Sequence, residues 1–188
     1  IGSSAALAAP LHPLPPPTEV WVDDDFGPGS AGGHTWMWDA FSTVGAGVLA
    51  VADGGTVYVA AGTYGDVVVV DKSIEVLGEG RDVVMMSPGA STLAPDTINA
   101  GFFVLADEVT ISGFHLSGYA QGVYLAGADH CTISDNTLSD NGHGILLDGH
   151  PAPAGSDATV ELEGASENLI VGNHIQNNVF LANSGVHV

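Results

Sequence analysis

Asp107-Glu108-Val109-Thr110-Ile111-Ser112-Gly113-Phe114-His115-Leu116 and Asp129-His130-Cys131-Thr132-Ile133-Ser134-Asp135-Asn136-Thr137-Leu138 are two copies of one pattern, twenty-two residues apart. Val109 aligns with Cys131, Ile111 with Ile133 and Leu116 with Leu138. Further on, Val123 and Leu125 align with Ile145 and Leu147. A third copy, Asn168-Leu169-Ile170-Val171-Gly172-Asn173-His174-Ile175, follows after thirty-seven residues, which is one repeat plus an insertion in the Pro/Gly/Ser-rich stretch at 151–164. Short apolar alternations in fixed register, separated by Gly, Asn, Asp and Ser, are what a stacked solenoid needs.

Each unit predicts one turn of a coil built from three short strands. Successive turns pair in parallel, about 4.8 Å apart, and right-handed coiling is the default for parallel crossovers. The expected fold class is all-β: a right-handed, three-sided parallel β-helix of about six coils with a short N-terminal capping helix. The chain divides into an extended Pro-rich tail at 1–17, a cap of strand, loop and helix at 18–53, and the β-helix at 54–188 with its insertion near 151–164. In the cap, Val20 and Val22 alternate with polar neighbours as in a strand. Trp36, Phe41, Val44, Val48 and Val51 recur at roughly helical spacing, with Ser42 or Thr43 as the helix cap. Trp36 and Trp38 read as core or capping aromatics. Gly45 and Gly47 weaken such a helix by about 1 kcal/mol each relative to Ala, so it depends on packing.

The formal charge is −20, and the cause is a shortage of cations: Lys72 and Arg81 are the sole basic residues beyond histidine. Nothing neutralises phosphates, which argues against nucleic acid and against anionic membrane surfaces. No apolar run is long enough for a spanning helix, so no membrane insertion is expected. Scarce basic residues suit a protein exposed to proteases outside the cell. The small, apolar and Pro-rich residues Ile1 to Pro17 look like a mature N-terminus after signal cleavage. The expected location is extracellular or at the cell surface. The single Cys131 occupies an inward repeat position and reads as a small buried apolar residue.

The runs Ala40-Phe41-Ser42-Thr43-Val44, Gly54-Gly55-Thr56-Val57-Tyr58-Val59-Ala60-Ala61-Gly62-Thr63-Tyr64 and Asp71-Lys72-Ser73-Ile74-Glu75-Val76-Leu77-Gly78-Glu79-Gly80 resemble the start of right-handed parallel β-helix proteins of the pectin-lyase-like superfamily. They look most like its branch with periplasmic copper-processing and carbohydrate-binding or sugar-hydrolase repeats. The resemblance implies a fold and leaves the chemistry open, since that superfamily holds lyases, hydrolases, epimerases, adhesins and non-catalytic surface proteins.

Lyases of this kind need a basic residue near the sugar's acidic proton. Lys72 lies before the regular repeats and reads as a turn residue paired with Asp71. Asp107 and Asp129 share a repeat position one coil apart. They are the candidate metal pair, with calcium as the ion, beside a retaining-hydrolase reading and a plain turn reading. No cofactor is required on this account. Asn136 and Asn173 share another position and are expected to form a structural amide ladder that begins after Phe114. His115 and His174 align with Thr137 between them, too far apart for one metal. Met or Cys clusters for soft copper are missing. Tyr124, between inward Val123 and Leu125, should face outward; with Tyr119 it is the candidate carbohydrate contact.

Two functional classes follow. The first is a non-catalytic structural or adhesive solenoid outside the cell, associating with copies of itself end to end through uncapped coils near Asn183 to Val188. The alternative is a polysaccharide-binding or polysaccharide-processing β-helix domain.

Overall fold

A computed structural model of the chain describes residues 14–89, 99–148 and 165–179. Most of the N-terminal tail, the insertion at 151–164 and the C-terminal coil end near Asn183 lie outside the described residues. The cap contains β1 (Glu19–Val22), β2 (Ala40–Phe41) and α1 (Val44–Ala50). Three strands per turn follow: β3 (Thr56–Val59), β4 (Gly62–Tyr64) and β5 (Val68–Val70); β6 (Glu75–Gly78), β7 (Val84–Met86) and β8 (Ala100–Val104). The two regular repeats give β9 (Thr110–Ser112), β10 (His115–Ser117) and β11 (Gln121–Ala126), then β12 (Thr132–Ser134), β13 (Thr137–Ser139) and β14 (His143–Asp148). The third copy gives β15 (Leu169–Val171) and β16 (His174–Gln176).

These strands form three parallel sheets. One runs β2-β1-β3-β6-β9-β12-β15, the second β4-β7-β10-β13-β16 and the third β5-β8-β11-β14. The register is the one the repeats predict. Ile111 pairs with Ile133 and Ile133 with Ile170; Leu116 pairs with Leu138 and Leu138 with Ile175; Val123 pairs with Ile145. The molecule is a right-handed parallel β-helix with an N-terminal helix. A strand points alternate side chains to opposite faces. The aligned Ile, Leu and Val residues therefore all point inward, and Ile111, Leu116, Val123, Leu125, Ile133 and Leu138 are fully buried. Each such side chain contributes about 1.5–3 kcal/mol of burial free energy. Phe102 and Phe114 meet edge to face inside, with centroids 5.1 Å apart.

The corners of the regular coils follow one rule. Residues with φ between 53° and 85° stand at Glu108, Gly113 and Gly118, at His130, Asp135 and Asp140, and at Glu167, Gly172 and Asn177. Each left-handed residue swings the chain into a new side of the triangle, and the residue after it turns inward. The inward corner residues form three columns: Val109, Cys131 and Asn168; Phe114, Asn136 and Asn173; Tyr119, Asn141 and Asn178. Asp and Asn tolerate the left-handed region better than most residues, which accounts for their frequency among the separators.

The cap departs from the expected one at Phe41 and keeps Thr43 in the expected capping role. Phe41 belongs to β2, where it pairs with Val22, and the helix begins only at Val44. Thr43 ends the extended segment with φ −135° and accepts the Ala46 N–H at 3.3 Å through Oγ1, so it is the cap. Trp38 is 37% exposed and Trp36 is partly exposed, so neither is a core side chain. Lys72 is held by the end of the helix. Its Nζ donates to Leu49 O at 3.1 Å and Val51 O at 2.7 Å, where the helix ends and carbonyls lack intrahelical partners. Loss of water there lowers the Lys72 pKa, against the pull of Asp71 and Asp53.

Gly47 explains how the helix lies so close to the sheet. A Cβ there would stand 2.6 Å from Val22 Cγ2 and 3.2 Å from Val57 Cγ1, whereas a Cβ at Gly45 would meet nothing within 4 Å. The two glycines should therefore respond oppositely. Gly45→Ala is expected to stabilise the protein by about 0.5–1 kcal/mol, the ordinary helix gain. Gly47→Ala is expected to destabilise it by about 1–3 kcal/mol through overpacking. Urea denaturation of the two variants checks this; equal gains would show that the helix is not seated on Val22.

Candidate functional site

The polar residues aligned by the repeats satisfy backbone. Asn136 Oδ1 accepts the Phe114 N–H at 2.9 Å, and its Nδ2 donates to Ile111 O at 3.1 Å. Asn173 repeats this one coil on, with Asn136 N–H at 3.0 Å and Ile133 O at 2.7 Å. A second column does the same: Asn141 takes Tyr119 N–H and gives to Leu116 O, and Asn178 takes Asn141 N–H and gives to Leu138 O. Asn168 takes Cys131 N–H and gives to Ala128 O. In all five, the oxygen accepts the corner N–H of the preceding coil and the nitrogen donates to the carbonyl three residues before that corner. The expected ladder at Asn136 and Asn173 is present. Asn141, Asn168 and Asn178 extend it, and their signal in the sequence is the five-residue spacing of Asn168, Asn173 and Asn178 and of Asn136 and Asn141.

Asp107 and Asp129 serve the same end. Asp107 Oδ1 accepts the Asp129 N–H at 2.8 Å, and Asp129 Oδ1 accepts from Ser166 N and, at 3.0 Å, from Ser166 Oγ. One oxygen of each carboxylate is thus turned to a backbone amide of the next coil. The histidines are dispersed: His115 Nε2 lies 2.9 Å from Ser139 Oγ, His130 Nε2 lies 2.7 Å from Glu167, and His174 Nε2 lies 3.0 Å from Gln176 Oε1. His12, His150 and His187 lie outside the described residues. Cys131 is fully buried, and that burial raises its thiol pKa.

The two tyrosines separate. Tyr119 is 2% exposed and points inward, with its hydroxyl donating to Asp66 O at 2.8 Å. It offers no ring face to a sugar, which corrects the expectation; it occupies the corner column that Asn141 and Asn178 fill in later coils. Burial holds its hydroxyl pKa above the ordinary value. Tyr124 faces outward between buried Val123 and Leu125, as expected. It pairs with Phe103 on one side and Leu146 on the other, and Phe103 pairs with Val69. The Phe103 and Tyr124 rings are 5.2 Å apart. Val69, Phe103, Tyr124 and Leu146 thus make one outward apolar column across four coils of the third sheet.

A second surface lies where the cap meets the first coils. On the outer face of the first sheet, Trp21 pairs with Tyr58 and Tyr58 with Leu77. The Trp21 ring stacks on His34 at 3.9 Å and on Tyr58 at 5.7 Å. Beside this stack is a groove of about 360 Å³, closed by Phe26 and Glu79. Trp21 was legible as the outward member of the Val20/Val22 alternation. Asp23, Asp24 and Asp25 follow directly. They are the one group of three possible metal ligands within reach of one another among the described residues. Two of them are engaged with backbone: Asp23 accepts Asp25 N–H at 3.0 Å and Asp24 accepts Thr63 N–H at 2.9 Å.

The sequence model of the NosD family, described as periplasmic copper-binding protein, matches residues 50–153. Comparison with curated proteins and with solved structures finds no match. The family's periplasmic description agrees with the expected place outside the cytoplasm. No helix among the described residues is long and apolar enough to cross a membrane. The copper in that description departs from the expectation that no cofactor is required. Copper favours imidazole, thiolate and thioether donors. The cluster at Asp23 to Asp25 offers carboxylates alone, Cys131 is buried, and the described histidines stand apart. Among the described residues no three His, Cys, Asp or Glu ligands other than Asp23 to Asp25 come together; one imidazole and one thioether stand side by side, His115 paired with Met85. The match spans more than half of the chain over the same stacked coils, and the chain belongs to the NosD family of β-helix proteins.

Proposed function

We propose that this chain is a non-catalytic adhesive β-solenoid, acting outside the cytoplasm, that holds an uncharged polysaccharide along the column Val69, Phe103, Tyr124 and Leu146. The observation that carries this reading is the column itself. Four apolar side chains, two of them aromatic, share one outward register where a soluble sheet normally presents polar residues. Aromatic rings offer large, rigid apolar area to the faces of sugar rings. A rod with parallel rungs presents them along a line, which suits an extended polymer. A charge of −20 disfavours anionic polysaccharides. The non-catalytic part is supported by the engagement of Asp107 and Asp129 with backbone.

An array of neutral and anionic glycans tests it. Binding is expected on neutral extended glycans, with Tyr124→Ala weakening it by about tenfold at unchanged thermal stability. Binding that survives in Tyr124→Ala and Phe103→Ala alike, or no binding to any glycan, contradicts it.

End-to-end association is a second reading, favoured by Ile175 in the last described coil, which lies over buried Leu138 and is itself 44% exposed. An inward-register apolar side chain left exposed favours cover by a further coil. Light scattering over a concentration series is expected to show mass rising with concentration; a monodisperse monomer throughout counts against it.

A further inference from the structure

The groove beside Trp21 lies on a different sheet from the Tyr124 column and needs its own explanation. Its walls are Trp21, Tyr58 and Leu77 on the sheet side and Phe26 on the loop side, with Val59 beneath. Its volume, about 360 Å³, is that of a small-molecule pocket. Glu79 is the sole charged residue in the lining. Acidic groups also surround it in sequence and space. Glu19 accepts from the Tyr58 hydroxyl at 3.4 Å, and Asp23, Asp24 and Asp25 follow β1 immediately before Phe26. The chain's two basic side chains are elsewhere: Lys72 on the helix carbonyls Leu49 O and Val51 O, and Arg81 on Gly172 O at 2.8 Å.

These observations restrict the ligand. An anion would meet carboxylates with no counter-charge in the lining, in a molecule of net charge −20. A polyhydroxy ligand seated in the groove would lose water from its hydroxyls, unlike a polymer lying on the open Tyr124 column, and would find only Glu79 and the ends of Trp21 and Tyr58 as side-chain partners. A cation with an apolar body meets both demands. Aromatic side chains attract alkylated ammonium groups, and Glu79 in the lining with Glu19 on the Tyr58 hydroxyl supplies negative charge beside the rings. We infer that the groove formed by Trp21, Phe26, Tyr58 and Glu79 binds a small amphipathic organic cation of the alkylammonium class.

The test uses the full chain and two probes of the same shape, choline and its uncharged carbon isostere 3,3-dimethylbutan-1-ol. Titration is followed by NMR shifts of the Trp21 indole N–H and by calorimetry. Choline is expected to bind about tenfold or more tightly than the isostere and to shift the Trp21 signal. Its affinity should fall as salt is added. Glu79→Gln keeps an oxygen for the Ala61 N–H, which Glu79 accepts at 2.9 Å; it should weaken choline severalfold and leave the isostere unchanged. Phe26→Ser, a loop change outside the sheets, should weaken both probes. Equal affinity for the two probes overturns the assignment to a cation. Shifts confined to other residues, or no binding of choline at millimolar concentration, overturn the site.

Discussion

A chain that coils in a triangle must turn three times per rung, and at each turn it leaves buried backbone N–H and C=O groups that the sheets cannot pair. An unpaired buried backbone group costs about 1–3 kcal/mol, so a stack of coils stands or falls on what satisfies its corners. In this protein one side-chain type supplies most of the answer. Asn136, Asn141, Asn168, Asn173 and Asn178 each bridge to the coil before, accepting one N–H and donating to one carbonyl. Asp107 and Asp129 do the accepting half of the same task at the outer edge. Where the corner is apolar instead, as at Phe114 and Tyr119, the asparagine of the next coil reaches back to it.

This division of labour decides what is available for function. Groups that would draw attention as catalytic or metal-binding when the repeats are aligned are engaged with the neighbouring coil. The surfaces left to meet a ligand are the outward sides of the strands. Most outward positions on the regular coils are small and polar, such as Thr110, Ser112, Thr132 and Ser134. Against that background the column through Phe103 and Tyr124 and the stack of His34, Trp21 and Tyr58 are exceptions. They lie on different sheets and differ in character: one is a line of apolar side chains across four coils, the other a groove with an acidic rim.

The parallel stack was legible because period-two alternation and a twenty-two-residue repeat constrain each other. Once Ile111 lies over Ile133, the register of every neighbouring side chain follows. The amide ladder was legible only at Asn136 and Asn173, since the five-residue step between corners becomes clear once the left-handed residues before each corner are located. The inward position of Tyr119 depends on the same corners. Tyr119 follows the left-handed Gly118 and takes an inward corner position, whereas Tyr124 lies mid-strand in β11. The cap was read less well because it does not repeat. Phe41 fits a helical spacing and lies in a strand, and the alternation that turns Val20 and Val22 inward turns Trp21 outward. Lys72 resembles an ordinary turn residue until the helix above it is in place.

Backbone amide hydrogen exchange, read residue by residue, tests the account most directly. The N–H groups of Phe114, Tyr119, Cys131, Asn136 and Asn141 sit in turns, where exposed amides exchange fast. They are predicted to be protected as strongly as Ile111 and Leu116 in the adjacent strands, because a side-chain oxygen of the next coil holds each one. Exchange of these five at the rates of open loops, with the strands still protected, would contradict it.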